Sequence, residues 1–139
     1  MEVQINILAV FLAAASSMVV GAIWYARSVF GNTWIKLAKP DMGKYKGREW
    51  LPMVVTFAVS LVTAYVLAHV TYVANQFFVH SFMQDALMTA FWLWLGLTAA
   101  RMLTHEMFEG RDLRLIALNA THEFITIMVM GIIIGLFGV

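Results

Sequence analysis

A chain of 139 residues that is 62% hydrophobic and 12% charged, with a mean hydropathy of +0.81, lacks the polar surface of a water-soluble domain, which carries about 25% charged residues. The bilayer is its expected solvent. The net charge of +1 argues neither for nor against nucleic acid, and the lack of Cys excludes disulfides, thiolate metal sites and cysteine nucleophiles.

The opening Met1-Glu2-Val3-Gln4-Ile5-Asn6 has no basic region of the kind that begins a signal peptide. The first apolar run is therefore expected to stay as a membrane span over 5–25, closed by Trp24-Tyr25 at headgroup level. Ala13, Ser17, Gly21, Trp24 and Ser28 share one of its faces at helical spacing, and small residues there admit a neighbouring backbone. Residues 26–50 are the only long polar connection, with Arg27, Lys36, Lys39, Lys44, Lys46 and Arg48 against Asp41 and Glu49. Its first part, 28–38, mixes Val29, Phe30, Trp34, Ile35 and Leu37 with Lys36 and reads as an amphipathic segment on the membrane surface. Pro40 and Gly43 end that segment. Anionic lipid is the expected partner of this basic connection.

A second span is expected over 51–74, with Pro52 in its first turn, where a missing N–H does no harm. Thr56, Ser60 and Thr63 form one mildly polar stripe on it; Tyr65, His69, Tyr72 and Gln76 form another. The third span is expected over 85–103, where Trp94, Thr98, Arg101 and His105 recur at helical spacing and share a face. The fourth, 113–137, holds Gly131 and Gly135 in a small-xxx-small pattern, the expected surface for close helix packing and for a homo-oligomer. The chain thus reads as one domain, an all-α polytopic membrane protein built as a four-helix bundle.

All nine Lys and Arg residues fall in 26–50 or around the connection between the third and fourth spans. None falls in the loop between the second and third spans or at either terminus. The positive-inside rule then puts both basic connections in the cytoplasm and both termini on the outer, periplasmic side.

Gly21-Ala22-Ile23-Trp24-Tyr25, followed by Val29-Phe30-Gly31-Asn32-Thr33-Trp34-Ile35-Lys36, resembles the opening signature of the bacterial family catalogued as domain of unknown function 1761. Leu93-Trp94-Leu95-Gly96, Met107-Phe108-Glu109-Gly110-Arg111 and Asn119 are similar to its later pieces. The chain departs from the pattern after Trp24-Tyr25, where a Pro commonly follows and Arg27-Ser28 stands here. The resemblance implies a small four-span protein of the bacterial inner membrane, and it implies no activity.

The residues with chemistry to offer centre on Asn119-Ala120-Thr121-His122-Glu123. An acid at mid-helix costs about +2.5 to +3.5 kcal/mol on insertion scales, so something in the fold must offset Glu123. At 1.5 Å per residue, His122 and Glu123 lie within about 5 Å of the fourth span's midpoint and Asn119 about 9 Å toward the basic side. Ser17, Trp24, Thr98, Arg101, Asn119, His122 and Glu123 are therefore expected to line an intramembrane polar pocket, with Arg101 as counter-charge to Glu123. The alternative reading of Glu123 is a structural ion pair or hydrogen bond that fixes helix register.

Two His-Glu pairs, His105-Glu106 and His122-Glu123, together with Glu109, offer ligand types for a metal, but their spacing matches no zincin and their depths differ. No cofactor is named by the sequence. There is no phosphate-binding glycine loop, no Ser-His-Asp arrangement at plausible depth and no nucleic-acid motif. The expected function is a small transporter or channel subunit with a protonatable site. The alternatives are a membrane scaffold or interaction protein, and a membrane enzyme or cofactor carrier.

Overall fold

Local signals set each helix. The computed structural model describes residues 3–78 and 80–138. Asn6 opens α1 (Ile7–Trp24) by accepting the Ala9 N–H on its side chain at 3.1 Å. A wide turn, Arg27–Gly31, leads into α2 (Asn32–Ala38), which ends at Lys39 in a left-handed conformation just before Pro40. In the turn the Gly31 N–H reaches back five residues to the Ala26 carbonyl at 2.9 Å. A Cβ at Gly31 would overlap the Tyr25 carbonyl oxygen and the Ala26 backbone, so only glycine fits. The turn is thus made without a proline.

The connection then runs exposed to α3 (Trp50–Asn75). Within it the Gly47 N–H donates to Glu49 Oε1 at 2.9 Å, and this bond, with a second from its own backbone, holds the Glu49 carboxyl below the usual range. Ser81 and Gln84 form a reciprocal capping box that starts α4 (Phe82–Phe108). At its end Gly110 takes a positive φ of 69°, and the Arg111 N–H bonds the Glu106 carbonyl at 3.0 Å, a Schellman stop. These two devices explain why α4 exceeds the expected 85–103 at both ends. Asp112 caps α5 (Leu113–Phe137) through the Arg114 N–H at 2.8 Å.

Four of these helices, α1, α3, α4 and α5, are long and apolar enough to cross a membrane. α1 packs on α3 and α5, and α4 on the same two, which sets a ring α1–α3–α4–α5 of antiparallel neighbours. α2 lies across the start of α5. One end of the ring carries the basic connections; the other, the far end, carries the termini and the α3–α4 loop.

The core occupies the far half. Ala13 and Ala14 of α1, Ala64 and Leu67 of α3, Ala90 of α4 and Met130 of α5 are buried there. Small side chains dominate, so the backbones approach closely. The glycine pair serves this packing. A Cβ at Gly131 would come to 3.2 Å from Ala90 Cβ and 3.3 Å from the Ala86 carbonyl oxygen, and one at Gly135 to 3.0 Å from Met83 Cα. Both glycines therefore seat α5 on α4 inside the chain. The expectation that they present a surface to a second copy is corrected accordingly.

The basic half is looser. Residues 51–59 of α3 and 91–108 of α4 include none that is buried. The helices part there and leave a cleft.

Candidate functional site

The cleft measures about 620 Å³ and opens between α1, the first half of α3, and α5. At its floor Ser17 of α1 and Ser60 of α3 are both buried, with their hydroxyl oxygens 2.8 Å apart. Ser17 also lies 2.6 Å from the Ala14 carbonyl oxygen. This hydroxyl pair marks the level at which the tight far half gives way to the open half.

α5 supplies the ionisable groups. His122 and Glu123 both line the cleft, as do Thr126 of α5 and Tyr25 at the end of α1. His122 is 13% exposed at its side chain and Glu123 47%. The His122 Nδ1 lies 3.4 Å from Glu123 Oε1, and its Nε2 lies 3.5 Å from the Thr126 hydroxyl. The Tyr25 ring sits 4.9 Å from the imidazole, and the Tyr25 hydroxyl donates to Asn119 Oδ1 at 3.4 Å. The imidazole is thus held between α1 and α5, beside the carboxylate. Trp94 braces α5 from the other side. Its indole N–H donates to the Ala120 carbonyl at 2.9 Å, and its ring meets Phe124 edge-on at 4.8 Å.

Of the residues expected in one pocket, Ser17, Thr98, His122 and Glu123 line the cleft. Trp24, Asn119 and Arg101 stand outside its wall. Trp24 packs on Phe30 of the wide turn, ring centres 4.4 Å apart and planes tilted by 39°, with its ring 6.0 Å from that of His122. Asn119 contributes one layer back, through Tyr25.

Arg101 requires a correction: it is no counter-charge to Glu123. Its Nη2 turns to His105 Nε2 at 3.4 Å, and both line a separate groove of about 480 Å³ with Glu106, Glu109 and Arg111. The physical reason is a widened segment in α4, Trp94–Ala99, where the Ala100 N–H bonds five residues back to Leu95. An extra residue in the turn rotates everything after it, so Trp94, turned to Ala120 and Phe124, leaves the face that Thr98, Arg101 and His105 share along the groove. Thr98 is the residue that borders both the cleft and the groove.

The four metal-ligand candidates do not converge. His105 and Glu109 face the groove, where Glu109 Oε2 accepts from Arg111 Nε at 3.0 Å, while His122 and Glu123 face the cleft. Among the described residues no three His, Asp or Glu side chains form a group that could hold a metal ion.

The structure adds groups to the site. Thr56, Ser60 and Thr63 form the α3 wall; their stripe was visible in the spacing, but not which helix it would face. At the far end, Asp85 is 2% exposed and binds Asn75 Nδ2 at 2.7 Å and His80 Nδ1 at 3.2 Å, tying the α3–α4 loop shut.

A bundle of four membrane-length apolar helices, closed in one half and cleft by polar residues in the other, is the class that the fold and the site define. The chain belongs to the family described as protein of unknown function, DUF1761, whose model matches residues 8–135. Comparison with curated proteins and with solved structures found no match in either.

Proposed function

We propose that the chain is a small membrane transporter or channel subunit in which Glu123 is the protonatable centre and His122 its immediate partner. One observation carries this reading: a half-exposed carboxylate opens into a 620 Å³ cleft near the middle of a helix of bilayer length. An acid kept only to lock helix register would be buried against its partners, as Asp85 is. Ionisable residues inside a membrane mark solute and proton paths more often than not. The membrane in this reading is the bacterial inner membrane, with the basic connections in the cytoplasm and the exposed Lys and Arg of 26–50 against anionic headgroups. Assembly with a second copy belongs to the same reading, because four spans enclose little protected volume. The contact must use a face other than the glycine pair.

Reconstitution into liposomes tests the proposal. The wild-type protein is expected to conduct a pH-dependent proton flux, and Glu123→Gln to abolish it while circular dichroism and gel filtration stay unchanged. Full flux in Glu123→Gln would overturn the assignment.

A further inference from the structure

We infer that the cleft takes a lipophilic organic cation, with Glu123 as its counter-charge. This rests on the reading of Glu123 as the protonatable centre and names the class of solute.

Among the described residues the lining contains one carboxylate and no Lys or Arg. Arg101 of α4 and Arg111 of the connection that follows it are turned into the groove and engaged there by His105 and Glu109. An anion would therefore meet repulsion from Glu123, with the His122 imidazole, already beside that carboxylate, as the one group to offset it. A polyol or sugar would need free directional hydroxyls, and the cleft has few to give. Ser17 and Ser60 are paired with each other, and the Thr63 hydroxyl is bonded to the Val59 carbonyl at 3.1 Å. A small inorganic cation would need several converging oxygens, whereas Glu123 is the only carboxylate in the wall. What remains is a large apolar wall with a single negative end.

That wall suits a bulky cation. Met18, Met53 and Met130 offer deformable thioethers, and Val55, Val59 and Ile127 fill the space between them. Tyr25 presents an aromatic ring beside the carboxylate region, a surface that attracts an organic cation through its π face. The volume falls within the ~300–1,000 Å³ of small-molecule sites.

Cation and proton would compete for the same carboxylate, so uptake of one releases the other. The titratable groups facing Glu123 are His122 on its own helix and Tyr25 at the end of α1. The lining residues of α3 are apolar or hydroxyl-bearing, and α4 contributes Thr98 alone, with Arg101 and Glu106 in the adjoining groove.

The test is calorimetric titration of the purified protein with tetraphenylphosphonium and with tetraphenylborate, two ions of like shape and opposite charge, against protein-free micelles. Tetraphenylphosphonium is expected to bind, to bind more weakly as pH falls, and to exceed tetraphenylborate by about tenfold or more. Glu123→Gln should lose that preference and Glu123→Asp should keep part of it. Equal binding of the two ions overturns the inference, as does a preference that survives Glu123→Gln. Should Glu123→Gln fail to fold, the comparison of the two ions and the pH dependence on the wild type decide. Flux that needs Glu123, in a protein that does not bind tetraphenylphosphonium, would remove the cation and leave the proposed function standing; cation binding without such flux would do the reverse.

Discussion

Asp85 and Glu123 are both acids within helices of membrane length, and they meet opposite surroundings. Asp85 is closed in by Asn75 and His80 and sits in the first turn of α4, where backbone N–H groups favour a negative charge. Glu123 has only the neighbouring imidazole within reach and keeps nearly half its side chain exposed. The first arrangement holds a loop; the second leaves a charge accessible to a visitor. Replacing Asp85 with Ala would take the short partner from the Asn75 amide, leaving it the His80 carbonyl at 3.4 Å, and is expected to destabilise the fold by about 1–3 kcal/mol. Thermal unfolding in detergent would measure this, with no loss of the phosphonium–borate preference. Glu123 was visible in the sequence because it is the one acid inside a long apolar run. Asp85 was not, because it stands beside a loop and its partners lie across a turn whose shape nothing in the spacing dictates.

At the level of elements, two widened segments do most to position the site. The turn at Arg27–Gly31 brings Phe30 back onto Trp24, and the segment at Trp94–Ala99 rotates the rest of α4. A helical-wheel reading assumes an unbroken 3.6-residue repeat; it brings Ser17, His122, Glu123 and Thr98 to the cleft, but Arg101, beyond the second widening, and Trp24 and Asn119, on regular helices, fall outside the wall. The caps were easier to read late than early: Gly110 is an ordinary stop, yet the span was expected to end at 103 because polarity begins at Arg101. The seam between α4 and α5 is the other decisive contact. Gly131→Leu would force a branched side chain against Ala90 and the Ala86 carbonyl, at a cost of about 1–3 kcal/mol or more. The loss should be independent of protein concentration, because the contact is within one chain. A melting temperature that falls only on dilution would instead point to a contact between copies.

For the molecule as a whole, the uneven distribution of Lys and Arg predicts its orientation as directly as hydropathy predicts its four helices. The cysteine-free chain makes that orientation simple to test. In intact cells a membrane-impermeant maleimide should label Gln76→Cys and spare Lys44→Cys until lysis; both positions are exposed in the structure. The reverse pattern would invert the bundle. The closed far half and the open basic half were not legible as such. They arise from which small residues meet which, and Ala13, Ala64, Ala90 and Gly131 lie on four separate helices.

The first half of α3 leaves Met53, Val54, Val55 and Val59 each more than half exposed, and three of them, Met53, Val55 and Val59, face the cleft. In a bilayer the natural filling for that gap is an acyl tail. A solute that reaches the cleft from the bilayer then exchanges one apolar neighbour for another, so its apolar surface yields almost no driving force of its own. Binding under those conditions should show a heat-capacity change near zero, and selectivity must fall on the handful of polar atoms around one carboxylate.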